Sequence, residues 1–214
     1  WAVRVRAAAL LAGGSSPTPA EPSRPAPSNR EPALEAVDAM ATPAYSPHAV
    51  AEFTVGIWAV TYLREVGHAG AGLAPILASV FGVMMFATRL ALPVLLRWWG
   101  EATISYSFVV IGAGAAVMCF APNLAGKTVG LVIVGFGGAP LYPLTVNRFY
   151  QRSGHALDAV ALGAYCALAS GVAVTLGPLA LGALADSVGL RWAILIVPVL
   201  AAVGAFTQRS RTVY

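Results

Sequence analysis

From residue 45 onward the chain is a series of apolar blocks, each about as long as a membrane-spanning helix. Crossing the hydrocarbon core of a bilayer takes about 20 mostly apolar helical residues. Short polar or Gly/Pro-containing breaks separate six such blocks, at residues 46–63, 73–95, 103–121, 128–149, 157–184 and 190–206. The blocks do not alternate between apolar and polar residues, as the strands of a membrane barrel do. Because a helix satisfies its own backbone hydrogen bonds in lipid, the pattern predicts an all-α protein with a six-helix transmembrane bundle over residues 45–207.

Residues 1–44 have a different pattern. Six prolines lie between Gly13 and Pro32, among Ser, Ala, Arg and Glu. Such a segment buries too little apolar surface to offset its ordering entropy, so we expect a disordered or extended linker. Residues 208–214 form a short polar tail. The chain starts at Trp1 without a signal-peptide pattern, and we expect it to be a fragment of a longer protein.

Composition supports the same class of protein. The chain is 58% hydrophobic and 10% charged, whereas soluble domains are about 25% charged. A net charge of +4 on so apolar a chain does not indicate a nucleic-acid-binding surface. Cys119 and Cys166 both lie inside apolar blocks, so a disulfide is not expected. The three histidines show no ligand spacing, and neither a metal nor a cofactor is expected.

The distribution of Lys and Arg predicts the topology. With six spans, both ends of the bundle lie on the same side of the membrane. Ten of the thirteen Lys and Arg residues are on that side, and only Arg64, Lys127 and Arg191 are on the other. Positive residues are retained on the cytoplasmic face, so the linker and the C-terminus are predicted to be cytoplasmic.

Glu52 stands out because it is an acid inside the first apolar block. Intramembrane carboxylates are costly and usually face the interior of a bundle or a wet cavity. One interpretation is a proton-coupling or substrate-contacting group. The alternative is a carboxyl group that hydrogen-bonds a neighbouring helix or lies one turn inside the membrane interface. Trp58 and Tyr62, one turn apart, either line a substrate path or, for Tyr62 in particular, anchor the helix at the membrane interface.

Arg89 and Arg97 flank Pro93, which is expected to break or end the second helix nearby. One hypothesis makes Arg89 a cytoplasmic latch whose guanidinium binds carbonyl groups at a neighbouring helix end. The alternative is that both arginines only set the topology.

A run of small residues and prolines marks the fourth block. Small residues let helices approach closely in lipid, and interrupted helices often mark transporter binding sites. A simple packing kink is the alternative. A Gly–Pro pair in the fifth block is expected to interrupt that helix similarly, and two tyrosines near these breaks are candidate path residues. The residues concerned are Gly135, Gly137, Gly138, Pro140, Tyr142, Pro143, Tyr165, Gly177 and Pro178.

An enzymatic function is not predicted. A six-helix intramembrane protease of the rhomboid type needs a Gly-x-Ser-Gly nucleophile and a later histidine. The sequence around Ser170 is Leu-Ala-Ser-Gly, and no histidine follows His155. No phosphate-binding loop of the Gly-rich, Lys-containing type is present either.

Together these features resemble the C-terminal six-helix half of the major facilitator superfamily, over residues 45–207. The stretch from Gly82 through Arg89 to Arg97 is similar to the second copy of that family's cytoplasmic loop motif. The run ending at Pro143 is similar to the tenth helix of many members, and the stretch from Gly177 to Gly189 to the eleventh. Glu52, Trp58 and Tyr62 resemble the seventh helix of sugar and small-solute branches.

The resemblance implies a secondary active transporter of a small solute, such as a sugar, drug or metabolite, which works by alternating access with proton symport or antiport. Its implied partners are the lipid bilayer, the N-terminal six-helix half of the same protein, the solute and protons. A plasma-membrane location is expected. The alternative is a non-transporting membrane sensor or scaffold that retains the fold.

Overall fold

The computed structural model describes residues 46–152 and 159–209, and each predicted block is mostly helical within those ranges. The predicted linker at residues 1–44 lies outside the described residues. A single 3-10 turn, Gly100–Ala102, joins the second helix to the third. The α-helices are α1 (Ser46–Glu65), α2 (Leu73–Trp99), α3 (Thr103–Phe120), α4 (Leu124–Gly138), α5 (Leu141–Arg152), α6 (Ala159–Val188), α7 (Leu190–Ala193) and α8 (Ile196–Arg209).

Among residues 46–152 and 159–209, four stretches are long and apolar enough to cross a bilayer: Leu73–Trp99, Thr103–Phe120, Leu124–Arg148 and Cys166–Val188. The third of these combines α4 with most of α5, and Leu190–Phe206 is a shorter apolar segment. The described part of the protein is therefore helical, and these helices have the length and hydropathy of membrane-spanning helices. A count of six spans stays a prediction, because α1 and the α7–α8 segment fall short of this criterion.

Two prolines do not end helices as the sequence predicted. Pro93 lies inside α2, which continues to Trp99, and Pro178 lies inside α6, which continues to Val188. Each proline removes only one helical hydrogen bond. Ending a helix in apolar surroundings would leave several carbonyl groups without donors, which costs more than the single lost bond. The true end of α6 is followed by Gly189, whose positive φ of 84° suits a residue without a side chain.

The fourth helix begins four residues earlier than predicted. The Asn123 side chain accepts a hydrogen bond from the Gly126 backbone N–H at 2.8 Å, which caps the first turn of α4. Lys127, which the sequence placed in a polar break, therefore lies within the helix and is 4% exposed. The break within the predicted fourth block is real, because Ala139 and Pro140 separate α4 from α5.

Helix α1 lies centrally, because it contacts α2, α4, α6 and α8. Among the described helices, α3 and α4 share the most extensive contact, where glycines bring the two backbones together. A Cβ atom on Gly130 would lie 2.6 Å from the Met118 backbone nitrogen and 2.7 Å from the Gly114 carbonyl oxygen. Such close approach is the usual way helices pack in lipid, where apolar burial gives no driving force.

Helices α2 and α6 carry the widest exposed apolar surfaces. Only 17% of the spanning window is buried in each, against 50% for α3. The exposed side chains include Ile76, Phe86 and Leu90 on α2, and Leu168 and Leu179 on α6. Apolar faces of this extent need lipid or another helix layer as their neighbour.

Candidate functional site

Glu52 and Arg89 form an ion pair between α1 and α2. Arg89 Nη2 donates to Glu52 Oε1 at 3.3 Å, and the side chains are 45% and 15% exposed, respectively. Glu52 is the seventh residue of the twenty-residue α1, so it lies about a third of the way along the helix. Ionisable residues inside apolar helices usually pair with one another, and this pair follows that rule. The two residues were predicted separately, and the structure brings them together.

The same guanidinium also reaches the break between α4 and α5. Arg89 Nε donates to the Ala139 carbonyl oxygen at 3.4 Å. In a continuous helix that oxygen would accept from the residue four positions later, which is Pro143 and has no N–H. Arg89 thus supplies the hydrogen-bond donor that Pro143 lacks. The contact has the geometry of the hypothesised latch, a guanidinium on a carbonyl group at a neighbouring helix end.

The residues that resemble the cytoplasmic loop motif lie within α2. Gly82 and Arg89 are both inside α2, and Arg89 is about 15 Å short of the helix end at Trp99. Only Arg97 lies in the last turn, where a cation interacts favourably with the helix dipole. The similarity of this stretch to the loop motif stays a prediction, whereas the helix break expected near Pro93 is wrong.

Trp58, on α1, packs against α6. Its indole Nε1 donates to the Pro178 carbonyl oxygen at 3.1 Å, and its ring lies against Gly182. Gly177 also lies close to α1, where an added Cβ atom would meet Thr54 and Val50. Gly177 and Pro178 therefore bring α6 against α1 without interrupting α6.

Tyr62 belongs to a cluster of donors around the C-terminal end of α3. Its side chain is fully buried, and its hydroxyl donates to the Met118 carbonyl oxygen at 2.6 Å. Lys127 Nζ donates to the carbonyl oxygens of Met118 and Ala121, at 3.3 and 2.9 Å, and Arg191 Nε donates to that of Cys119 at 3.0 Å. The last carbonyl groups of a helix lack intrahelical donors and carry partial negative charge, so these donors cap it.

The cluster changes the interpretation of Tyr62 and of two cations. Tyr62 lies in the core of the bundle, so it does not sit at the lipid surface as an interfacial anchor would. Lys127 and Arg191 were predicted only as topology signals, and both have capping roles. The signal for Lys127 was present in the sequence, because Asn123 is a strong N-cap residue.

Tyr62→Phe is expected to lower the free energy of unfolding by about 1 kcal/mol, because it removes one buried hydrogen bond while Lys127 still donates to Met118. The measurement is unfolding of the purified protein in mixed detergent micelles with increasing dodecyl sulfate. Tyr106→Phe, at a tyrosine that is 52% exposed on α3, is the matched control. Equal stability of the two variants would contradict a capping role for the Tyr62 hydroxyl.

The remaining predicted residues lie around the break and the packed interfaces. Tyr142 is the second residue of α5, just after the break, and is 37% exposed. The side chain of Tyr165 lies outside the described residues. Gly135 packs against Phe81 of α2, and Gly137 packs against Ile111 of α3. These two glycines therefore act in packing, which was the alternative offered for them. A Cβ atom on Gly138 would meet nothing within 4 Å, and Pro140 lies in the break itself.

Two hydroxyl groups that the sequence did not single out lie buried. Thr54 and Thr88 have hydroxyl oxygens without a hydrogen-bond partner among the described residues. Thr88 immediately precedes Arg89 in the chain, and both threonines lie on the helices that carry the ion pair. Within residues 46–152 and 159–209, no group of three or more His, Cys, Asp or Glu side chains has the arrangement of a metal site.

Comparison with known proteins supports a transport-related membrane protein. The chain is 31% identical over 157 residues to an uncharacterized transporter, y4wD, of Sinorhizobium fredii. The aligned region covers 69% of this chain and 39% of that protein, so the chain spans about two fifths of its relative's length. No family model matches the sequence, and no solved structure matches it. The long apolar helices and this similarity together indicate an integral membrane protein of transporter type.

Proposed function

We propose that the chain is the C-terminal six-helix half of a secondary active transporter of the major facilitator superfamily, which moves a small solute by alternating access coupled to protons. The observation that carries the proposal is the Glu52–Arg89 ion pair, which lies within apolar helices and beside a broken helix. Intramembrane acids and bases mark ion and proton pathways. Interrupted helices are common at transporter binding sites.

The ion pair suggests how proton binding acts. A proton on the Glu52 carboxylate removes its negative charge, so the attraction that holds Arg89 Nη2 at 3.3 Å is lost. Each proton bound or released at Glu52 therefore changes a contact between α1 and α2. A transporter needs such a link between ion binding and helix movement, because a ligand shifts a conformational equilibrium only through different interactions in the two states.

The exposed faces of α2 and α6 support a second bundle. The relative is much longer than this chain, so the intact protein has room for an N-terminal six-helix half. Two neighbouring bundles with a solute site between them would cover apolar faces that this half leaves exposed. For the solute path we propose Tyr142, which is partly exposed beside the break. We do not propose Trp58 and Tyr62, because Trp58 packs against α6 and Tyr62 is fully buried.

The test uses the full-length protein that contains this chain, reconstituted in liposomes loaded with a pH-sensitive dye. Sugars, organic acids and cationic dyes are added in turn, with and without a protonophore. The proposal predicts that at least one of these classes drives proton movement that the protonophore abolishes. Protein-free liposomes are the control. If no class moves protons, the transport proposal is wrong, and a sensor or scaffold becomes the better hypothesis.

A further inference from the structure

Arg89 connects three parts of the bundle through a single rigid group. Its Nη2 contacts Glu52 on α1, its Nε contacts the Ala139 carbonyl group at the break, and its own backbone belongs to α2. A guanidinium is planar and its donors have fixed directions. A displacement that lengthens one of these two contacts therefore alters the other.

The Ala139 carbonyl group depends on Arg89. Its helical donor would be the backbone N–H of Pro143, which does not exist, and the Arg89 Nε bond at 3.4 Å takes its place. The neighbouring bonds of the break are made within the chain, from Ala139 N to Gly135 O and from Leu144 N to Pro140 O, both at 3.2 Å. The Arg89 Nε bond ties the break to α2.

Glu52 in turn is the charge that positions Arg89. Of the ionisable side chains on the described helices packed against α1, Arg89 is the one within ion-pair distance of Glu52. With Glu52 ionised, the guanidinium is attracted towards α1 while its Nε remains on Ala139. With Glu52 neutral, that attraction is lost, and the Arg89 guanidinium is free to leave both Glu52 and the Ala139 carbonyl group.

We propose that Arg89 is a positioning residue that couples the charge on Glu52 to a pivot of α5 about the Ala139–Pro140 break. The proposal rests on the proposed function only in taking proton binding as the event that neutralises Glu52. The ionised acid holds α5 in line with α4, and the neutral acid releases it. This movement is independent of any particular solute.

Hydrogen–deuterium exchange of the full-length protein in detergent micelles, at one fixed pH, tests the coupling. Backbone amides of residues 144–152 are expected to exchange about fivefold faster in Glu52→Gln, the factor that corresponds to losing a partly exposed ion pair. Arg89→Lys should have the same effect, because an ammonium keeps the positive charge but lacks the fork. Arg97→Lys, on the same helix, is the matched control and should leave α5 unchanged.

Two further variants separate coupling from general loosening. In the double variant Glu52→Gln with Arg89→Lys, the acceleration should be no greater than in either single variant, since both remove the same link. Pro143→Ala restores a backbone donor for Ala139, so it should make exchange in α5 insensitive to Glu52→Gln. These results are not expected if Arg89 serves only to set topology.

Three outcomes would overturn the coupling: unchanged exchange in α5 of Glu52→Gln, additive effects in the double variant, or equal acceleration of α3 and α8. Exchange and proton movement are measured separately, so the two proposals can fail separately. Unchanged exchange with normal solute-driven proton movement removes the coupling and leaves transport in place. Accelerated exchange in α5 without proton movement for any solute leaves the coupling and removes transport.

Discussion

Glu52→Gln in the full-length protein is expected to lower solute-driven proton movement by about 100-fold, the lower end of what a positioned proton-transfer group contributes. Glutamine has nearly the same size, but it has no negative charge to attract Arg89, and it neither binds nor releases a proton. The change therefore removes proton exchange at position 52 with little change in side-chain volume. Proton movement in dye-loaded liposomes is the measurement.

Glu65→Gln is the matched control for this experiment. Glu65 is the last residue of the same helix and is exposed, so its carboxylate is already solvated and its loss should leave proton movement unchanged. If Glu52→Gln retained normal coupling, Glu52 would have no role as a proton carrier. A similar loss in both variants would indicate a general effect of removing negative charge from α1.

Gly130→Ala is expected to cause the largest loss of stability, about 3 kcal/mol in the free energy of unfolding, at the upper end of typical overpacking effects. The added methyl group would lie within 2.6–2.7 Å of the Met118 nitrogen, the Gly114 carbonyl oxygen and the Met118 side chain. Two of these three are backbone atoms, which cannot turn aside as a side chain can. Helices α3 and α4 would have to separate, and the capping contacts of Lys127 with the end of α3 would lengthen with them.

Unfolding in dodecyl sulfate measures the change, with Gly82→Ala as the control. Gly82 lies inside α2 with nothing within 4 Å of its Cβ position. Alanine there should be neutral or stabilise the protein by up to about 1 kcal/mol, because it favours helix more than glycine does. If Gly130→Ala matched Gly82→Ala in stability, the close contact between α3 and α4 would be wrong.

The helices and their approximate ends followed from the sequence. Each apolar block is about as long as the hydrocarbon core is thick, so lipid forces it to be a helix whatever its neighbours are. The helix break at Ala139 was also predictable from the sequence, since Pro140 and Pro143 remove two helical donors within four residues. These are local properties, which depend on length, hydropathy and backbone donors alone. The start of α4 was just as local, because Asn123 is a good N-cap, but that signal was overlooked.

Whether a helix continues through a single proline depended on more than the local sequence. Pro93 and Pro178 resemble Pro140 in chemistry, yet α2 and α6 run through them. One missing hydrogen bond can be tolerated inside a helix that is held by its neighbours, whereas two close together produced a break. Trp58, for example, holds α6 at Pro178 from across the interface.

The sequence by itself determined that this is a helical membrane protein with an acid and a base inside its apolar helices, because hydropathy and charge are properties of residues. Only the tertiary structure decided that Glu52 and Arg89 are partners, that Arg89 replaces the donor missing from Pro143, and that Tyr62, Lys127 and Arg191 meet at the end of α3. Those pairings join residues that are 37 to 72 positions apart or lie on separate helices. Which helix faces meet is set by the packing of small residues such as Gly130, and hydropathy alone does not specify it.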